Sequence, residues 1–291
     1  MRYQITHTTE YHYNESVGFT PQLIRLFPRM DDRIRITDYQ LNVFPDGDLY
    51  WLRDPYDNVI AKFFTTHVSK QLSFTVTAKI EHRQQTAFDF LLDSHAIGFP
   101  FDYTEREQEI LQPYLSNTPD NTVLADWLTS SKIPLEGDTT KYLTALIQYI
   151  YHSLHYQRRE EPGIQTSEET IKKQSGTCRD YALLLMTTCK QLGLAARFVS
   201  GYLYASSDDP STQGADSLHA WTDVYLPGAG WRGLDPTNGI WCSNSHIPLA
   251  VSIHPEETTP IEGSYCADHA VSSQMKTLLN IQKPSCKDDH K

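Results

Sequence analysis

Strict alternation of hydrophobic and polar residues dominates roughly the first eighty positions of the chain. Turn-forming segments such as FPDGDLY and RDPYDN separate four alternating stretches, YQITHTTEYHY, DYQLNVFP, VIAKFFTTHV and LSFTVTAKI. A period of two places successive side chains on opposite faces of a strand, and no helical pattern intervenes. The pattern therefore predicts an antiparallel, sandwich-like β domain over residues 1–85.

A helical period replaces this alternation in the second half of the chain. NTVLADWLTSS, TTKYLTALIQYIYHSLHY and KKQSGTCRDYALLLMTTCKQLG all have helical spacing, and Gly193 is placed to end the third helix. One face of that helix collects Tyr181, Leu184, Leu185, Thr188 and Leu192. Three β-like stretches follow, AARFVSGYLY, LHAWTDVYL and GWRGLDPT. Helices followed by a sheet predict an α+β core.

The change of pattern also predicts the domain boundaries. We assign residues 86–120 to a connection that holds one short helix, residues 121–283 to the core, and residues 284–291 to a flexible tail. The whole chain is thereby predicted to be α+β, with a β domain first and a mixed domain second.

Charge and cysteine usage narrow the classes of function. The chain has 25 Lys and Arg against 36 Asp and Glu, a net charge of −11, and no long basic block, so neither nucleic acid nor a membrane is an expected partner. We find no secretory signal and no apolar run of about 18 residues, so the predicted location is cytoplasmic. Five cysteines without CxxC pairs argue against a disulfide framework and a thiolate zinc site. The sequence predicts no cofactor and no metal ion, and leaves the oligomeric state open.

Cys178 lies in the first turn of the third predicted helix, directly after Ser175, Gly176 and Thr177. A helix N-terminus stabilises an anion through its unpaired N–H groups, so a thiolate is favoured there, and the same groups can hold the oxyanion of a tetrahedral intermediate. A lone cysteine is more often a small buried apolar residue, and mid-helical Cys189 is an example. The position of Cys178 instead indicates a nucleophile.

A nucleophilic cysteine needs a base and a group that orients the base. His219 begins a predicted strand, and Asp235 follows on the next strand after the turn PGAG. The register of this hairpin decides whether the two side chains meet, because a shift of one residue moves Asp235 to the opposite face.

Two registers are possible for this hairpin. A four-residue loop would place Asp235 opposite Thr222, away from His219. A three-residue loop pairs Leu226 with Gly230 and places Asp235 on the face of His219. The hypothesis of a Cys–His–Asp triad requires the second register or a bulge, for which Gly233 is the candidate.

The segments SGTCRDYALLLMTTCKQLGLAARFVSGYL and LHAWTDVYLPGAGWRGLDPTN, in this order, resemble the transglutaminase-like cysteine enzymes of bacteria. The resemblance spans about residues 140–270, and HTTEYHY with LIRLFPR resembles the β domain that precedes this core in many members. It implies a papain-like fold with a Cys–His–Asp triad.

Carried over by motif, the resemblance implies that Cys178 is the nucleophile, His219 the general base and acid, and Asp235 the residue that orients the imidazole. Trp221 would line the wall of the cleft. A second oxyanion donor is expected upstream of the cysteine, where Tyr156 is the first candidate and Gln174 the second.

The last third of the core departs from the family pattern. SHIPLAVSIHPEETTPIEGSY keeps only an outline of it, and we interpret His246 and His254 as surface or structural residues. This departure concerns the recognition of substrate and leaves the three triad motifs intact.

Together these features predict a thiol-dependent amide-bond enzyme that acts on peptide or protein substrates through an acyl-thioester. Attack by water on the thioester makes the enzyme a peptidase or amidase, whereas attack by an amine makes it a protein-glutamine transglutaminase. The absence of a calcium-loop spacing favours hydrolysis. A catalytically silent protein-binding scaffold is the alternative from another class.

Overall fold

A computed structural model describes residues 1–31, 33–83, 86–115, 122–134, 136–158, 163–204 and 217–283. The predicted tail, 284–291, lies outside these ranges. Within them the helices are α1 Glu105–Leu115, α2 Thr122–Ser130, α3 Thr139–Ser153, α4 Ser167–Lys173 and α5 Cys178–Gln191, with short 3₁₀ turns at Ser94–Ala96 and Pro255–Thr258.

Strands make up most of the remaining structure. The first eight are β1 Arg2–Phe19, β2 Gln22–Ile24, β3 Ile34–Phe44, β4 Asp48–Arg53, β5 Val59–Phe64, β6 Ser69–His82, β7 Gly98–Phe99 and β8 Gly137–Asp138. The next five are β9 His155–Tyr156, β10 Ser175–Gly176, β11 Ala196–Leu203, β12 Ser217–Leu226 and β13 Gly230–Asp235. The last five are β14 Ile240–Trp241, β15 His246–Ser252, β16 Ile261–Glu262, β17 Tyr265–Cys266 and β18 Ser273–Gln282.

Two antiparallel sheets form the N-terminal domain. One has the order β3-β6-β1, with β17 and β18 both paired to the outer side of β1, and the other has the order β4-β5-β2-β16. The alternation in the sequence supplies their apolar inner faces, where Phe63 and Phe74 meet edge to face with ring centroids 6.1 Å apart. The predicted β sandwich is therefore present.

The C-terminal strands belong to this sandwich as well. Strand β18 pairs with β1 over ten residues, from Gln4 with Gln282 to Tyr13 with Ser273, and β16 pairs with β2. The sheet of the core ends with β15. The strands between residues 261 and 282 therefore pair with the sandwich, whereas the sequence analysis assigned residues 121–283 to the core. Sequence periodicity reports which face of a strand is buried, but it does not report a partner more than 230 residues away.

The core consists of helices packed on an antiparallel sheet of order β14-β13-β12-β11-β15. Helix α5 spans the predicted segment, and Gly193 follows it with a φ of +77°, a left-handed conformation that favours glycine. The buried hydroxyl of Thr222 on β12 donates to the carbonyl of Ala182 in α5 at 2.7 Å. This contact fixes the helix against the sheet, and the α+β fold class is confirmed.

Sandwich and core share apolar contacts. Tyr202 of β11 and Ile247 and Leu249 of β15 are buried in the apolar cluster of the sandwich, and the Tyr202 hydroxyl hydrogen-bonds His7 at 2.9 Å. The core is thus held against the sheet that contains β18. Among the described residues, no helix is long and apolar enough to span a membrane.

The packing of β18 can be tested with one substitution and a control on the same strand. Ile281 is 6% exposed and belongs to the sandwich cluster, whereas Leu278 is 56% exposed. We expect Ile281→Ala to lower the free energy of unfolding by about 2–4 kcal/mol and Leu278→Ala to change it by less than about 0.5 kcal/mol. Urea denaturation measures both values, and equal effects would contradict the packing of β18.

Candidate active site

The start of helix α5 is held by a buried carboxylate. Asp180 accepts hydrogen bonds from the backbone N–H groups of Thr177 and Gln165, both at 2.7 Å. A Cβ on Gly176 would lie 2.8 Å from the Cβ of Asp180, so a side chain at that position would displace the carboxylate. Cys178 is consequently fixed as the first residue of the helix, as predicted. Asp180 was missed, although the spacing Thr-x-x-Asp is a form of the capping box.

The hairpin of β12 and β13 has the register that the triad hypothesis requires. Leu226 pairs with Gly230 and Thr222 pairs with Leu234, so the loop has three residues. The pairing is continuous, and no bulge is needed at Gly233. That glycine has a different role, because a Cβ there would lie 2.7 Å from the Cβ of Cys242.

This register brings Asp235 against His219. The Nε2 atom of His219 lies 2.8 Å from Oδ2 of Asp235, and both side chains are fully buried. Asp235 also accepts from the side-chain amide of Asn238 at 2.8 Å and from the backbone N–H of Thr237 at 2.9 Å. Burial by itself raises the pKa of Asp235, but His219, together with His246, outweighs it and holds that pKa well below its usual range. Asp235 is therefore an ionised acceptor.

The ionised carboxylate determines the protonation of His219. Since Asp235 can only accept, the hydrogen of the pair lies on Nε2, and Nδ1 is left for the thiol. Nδ1 is buried and has no hydrogen-bond partner among the described residues. Burial lowers the pKa of His219, but Asp235 and the nearby thiol of Cys178 outweigh burial and raise it above its ordinary value. The imidazole thus lies between the carboxylate and the sulfur.

His246 is a site residue that the sequence analysis did not identify as such. It is 3% exposed, and its Nε2 lies 3.2 Å from Oδ2 of Asp235. Its Nδ1 accepts from the backbone N–H of Ser243 at 3.3 Å, so Nε2 carries the hydrogen and donates it to Asp235. The buried position on β15 rules out a surface residue and makes His246 a second donor behind the triad.

His219, Asp235 and His246 also form a group that could hold a metal ion, since their ligand atoms lie within 4.8 Å of one another. Both imidazole Nε2 atoms lie within hydrogen-bond distance of Oδ2 of Asp235, at 2.8 and 3.2 Å. A hydrogen-bond network accounts for this arrangement without a cation. The absence of a metal stays a prediction.

Tyr156 lies beside the candidate nucleophile. Strand β9 pairs in parallel with β10 and places Tyr156 opposite Gly176, two residues before Cys178. Burial raises the pKa of Tyr156 and the thiol of Cys178 adds to this effect, so the phenol remains a hydrogen-bond donor. Gln174, the second candidate, is exposed at the end of α4 with a φ of +51°. The geometry thus favours Tyr156.

Trp221 does not line the cleft at Cys178, contrary to the prediction. It is 2% exposed, packs edge to face against His246 with centroids 5.2 Å apart, and borders a separate cavity of about 300 Å³. Gly201 on the neighbouring strand makes room for it, because a Cβ there would lie 2.5 Å from the indole. Trp221 therefore packs beside the rings of His246 and His219, outside the cleft at Cys178.

The cleft at Cys178 has a volume of about 420 Å³. The core contributes Tyr156, Arg158, Gly163, Thr177, Arg179, Ser217 and Leu218 to its walls. Thr277 and Leu279 of β18 also border it, so the N-terminal sandwich contributes to the described walls of the cleft.

Comparison with known proteins agrees with this architecture. Residues 129–236 match the transglutaminase-like superfamily, and residues 3–81 match the bacterial transglutaminase-like N-terminal region. Uncharacterized proteins of Mycobacterium tuberculosis and Mycobacterium leprae are 27% and 24% identical, over 90% and 91% of this chain and 87% and 93% of theirs.

A solved structure supports the fold over nearly the whole chain. The crystal structure of a "putative cysteine protease" from Cytophaga hutchinsonii superimposes with a TM-score of 0.69 at 17% identity, and covers 98% of this chain and 92% of that chain. The chain is thus similar to the transglutaminase-like superfamily in its core and to the bacterial transglutaminase-like N-terminal region ahead of the core.

Proposed function

We propose that the protein is a thiol-dependent amide-bond enzyme that acts on peptide or protein substrates, most simply as a cysteine peptidase or amidase. The observation that carries this proposal is the buried contact of 2.8 Å between His219 and Asp235, with the remaining imidazole nitrogen left for the thiol of Cys178. This arrangement gives a nucleophile, a base and an orienting carboxylate in one chain of contacts.

The first half of the proposed reaction forms a thioester. His219 takes the proton of the Cys178 thiol, and the sulfur attacks the amide carbonyl to form a C–S bond. In this proposal the N–H groups at the start of α5 and the hydroxyl of Tyr156 stabilise the oxyanion. The imidazolium then gives its proton to the departing amine as the C–N bond breaks. Asp235 remains ionised throughout.

The second half consumes the thioester. His219 takes a proton from water, the resulting hydroxide attacks the carbonyl, and the C–S bond breaks to give the carboxylic acid and the thiol. An amine in place of water gives a transglutaminase product through the same roles. Efficient transfer to an amine requires that the amine is held in place, since correct orientation can be equivalent to an effective concentration of roughly 10⁵ M.

The position of the large aromatic side chains favours hydrolysis. Trp231 packs on Tyr225 and Trp241 packs on Phe90, and none of the residues that border the described cleft is a tryptophan. A tryptophan-walled channel for a second substrate is therefore not part of the described cleft, which supports water as the acceptor.

Incubation of a glutamine-containing peptide with a millimolar primary amine tests this preference. We expect mass spectrometry to find mainly free acid or cleaved peptide and little amine adduct. Predominant amine incorporation that Cys178→Ala abolishes would favour the transglutaminase. Turnover of neither kind, with no thioester trapped at Cys178, would favour the silent scaffold.

A further inference from the structure

Two arginines border the cleft at Cys178. Arg158 follows Tyr156 in the chain and Arg179 follows Cys178, whereas the described residues that line the cleft include no carboxylate. The chain as a whole has a net charge of −11. The described surface around the candidate nucleophile is thus positively charged in an acidic protein, which attracts anionic ligands.

Arg179 is partly buried, and no carboxylate among the described residues forms an ion pair with it. Its guanidinium donates to the carbonyl of Pro255 at 3.2 Å and forms no ion pair within the described part of the chain. Burial lowers the pKa of Arg179, while Cys178 and nearby acidic groups oppose this effect. A partly desolvated guanidinium retains N–H donors suited to a carboxylate, which can accept two of them in parallel.

Arg158 is the second arginine that borders the cleft. Its side chain is exposed and, over the same ranges, makes no ion pair or hydrogen bond. Its charge opposes the effect of burial on the pKa of the Tyr156 phenol, and both residues border the cleft. Both cations therefore border the same cleft as the thiol and the candidate oxyanion donor.

We propose that Arg158 and Arg179 bind a carboxylate of the substrate next to the reacting amide, so that acidic peptides are the substrate class. This inference rests on the proposed function, because it concerns the same cleft. A glutamate beside the reacting residue would pair with a guanidinium, whereas a lysine there would bring a third cation into the cleft. The arginines are specificity residues in this proposal, and the triad performs the chemistry.

Peptide binding to Cys178→Ala tests the proposal without turnover. Three fluorescent peptides, blocked at both ends, carry a central glutamine flanked on both sides by glutamate, alanine or lysine. We expect the glutamate peptide to bind about tenfold more tightly than the alanine peptide, and the lysine peptide to bind most weakly. Equal affinities, or no measurable binding of the glutamate peptide, would overturn the proposal.

Charge reversal assigns the preference to a residue. Arg158→Glu, made in the same background, should remove the preference for glutamate and improve binding of the lysine peptide. Arg106→Glu is the matched control, because Arg106 is also exposed but lies on α1 and does not border the cleft. Retention of the glutamate preference in Arg158→Glu, or an equal change in Arg106→Glu, would contradict the assignment. Arg179→Lys, checked by thermal unfolding, should weaken glutamate binding while leaving alanine binding unchanged within about twofold.

Two further comparisons separate the possible outcomes. The carboxylate could belong to an acidic side chain or to a chain terminus, so the alanine peptide is also measured with a free C-terminus, and tighter binding of that form identifies the terminus as the source. With the wild-type protein, equal turnover of all three blocked peptides would support the proposed function and overturn the carboxylate subsite. Absence of turnover by the wild-type protein, together with a glutamate preference in Cys178→Ala, would overturn the proposed function and support the carboxylate subsite.

Discussion

Replacement of Cys178 by alanine should lower kcat for peptide amide turnover by about 10⁴-fold or more, because no thioester can form without the sulfur. Release of amine from a glutamine peptide measures the rate, and mass spectrometry of the quenched wild-type reaction measures the acyl adduct. The adduct should map to the peptide that contains Cys178 and should be absent from the variant. Full activity of Cys178→Ala would contradict the proposed reaction.

The other cysteines provide the control for this experiment. Burial raises the pKa of Cys189 to about 12 and, with Asp235 adding to it, raises that of Cys242 well above its ordinary value. Cys266 is an exposed free thiol on β17. Cys266→Ala should leave turnover within about twofold of wild type, and iodoacetamide should alkylate Cys178 before Cys266, since His219 lies beside Cys178 as a base. Faster alkylation of Cys266 would show that exposure, without activation, governs thiol reactivity.

Local features of the sequence predicted the candidate triad. A capping residue before an amphipathic period locates Cys178 at a helix start, and a short turn between two strands restricts the register of His219 and Asp235 to two choices. The structure has the choice that joins them. These features succeed because helix starts and hairpins depend on residues only a few positions apart.

Features that depend on distant contacts were not predicted. Strand β18 pairs with β1, and no residue near 273–282 encodes that partner. His246 reaches Asp235 because β15 pairs with β11, on the opposite side of β11 from the catalytic hairpin. By alternation, Trp221 lies on the same face of its strand as His219. Its indole, however, fills the space that Gly201 leaves open, and so it lies outside the cleft at Cys178. In each case the tertiary partner decides the role of the residue.

Asp235→Asn should inactivate the enzyme while keeping the shape of the site. In the wild type Oδ1 accepts from the backbone N–H of Thr237, while Oδ2 accepts from Asn238, His219 and His246. If the side-chain oxygen of the new asparagine keeps the hydrogen bond from the backbone N–H of Thr237, its NH₂ group faces the three side-chain donors. His219 would then have to carry its hydrogen on Nδ1, next to the thiol, and could no longer act as the base. We expect a loss in kcat of about 10⁴-fold, the size found for the equivalent change in a serine triad.

The same substitution should destabilise the fold in a way that depends on pH. The pKa of His219 is higher in the folded state than in the unfolded state, where it is about 6.5. Protonation of His219 therefore stabilises the folded state fully below about pH 6.5, and this contribution is lost as the pH rises through the pKa of the folded state. The pKa of Asp235 is lower in the folded state than in the unfolded state, where it is about 3.9. Ionisation of Asp235 therefore stabilises the folded state above about pH 3.9, and this contribution is lost as the pH falls through the pKa of the folded state. The difference in free energy of unfolding between wild type and Asp235→Asn should therefore be largest between about pH 4 and 6.5, at about 3–5 kcal/mol, and should decrease above that window.

Asp223→Asn separates loss of fold from loss of chemistry. Asp223 also lies on the hairpin, but it pairs with Arg197 at 2.9 Å and does not border the described cleft. Its loss should lower the free energy of unfolding and leave alkylation of Cys178 near the wild-type rate, whereas Asp235→Asn should slow alkylation at temperatures where both variants are folded. Urea denaturation across pH 4–9 and the alkylation rate measure the two effects. A difference between wild type and Asp235→Asn that grows above pH 7 would contradict the charged pair, because the imidazolium that Asp235 stabilises is lost as the pH rises.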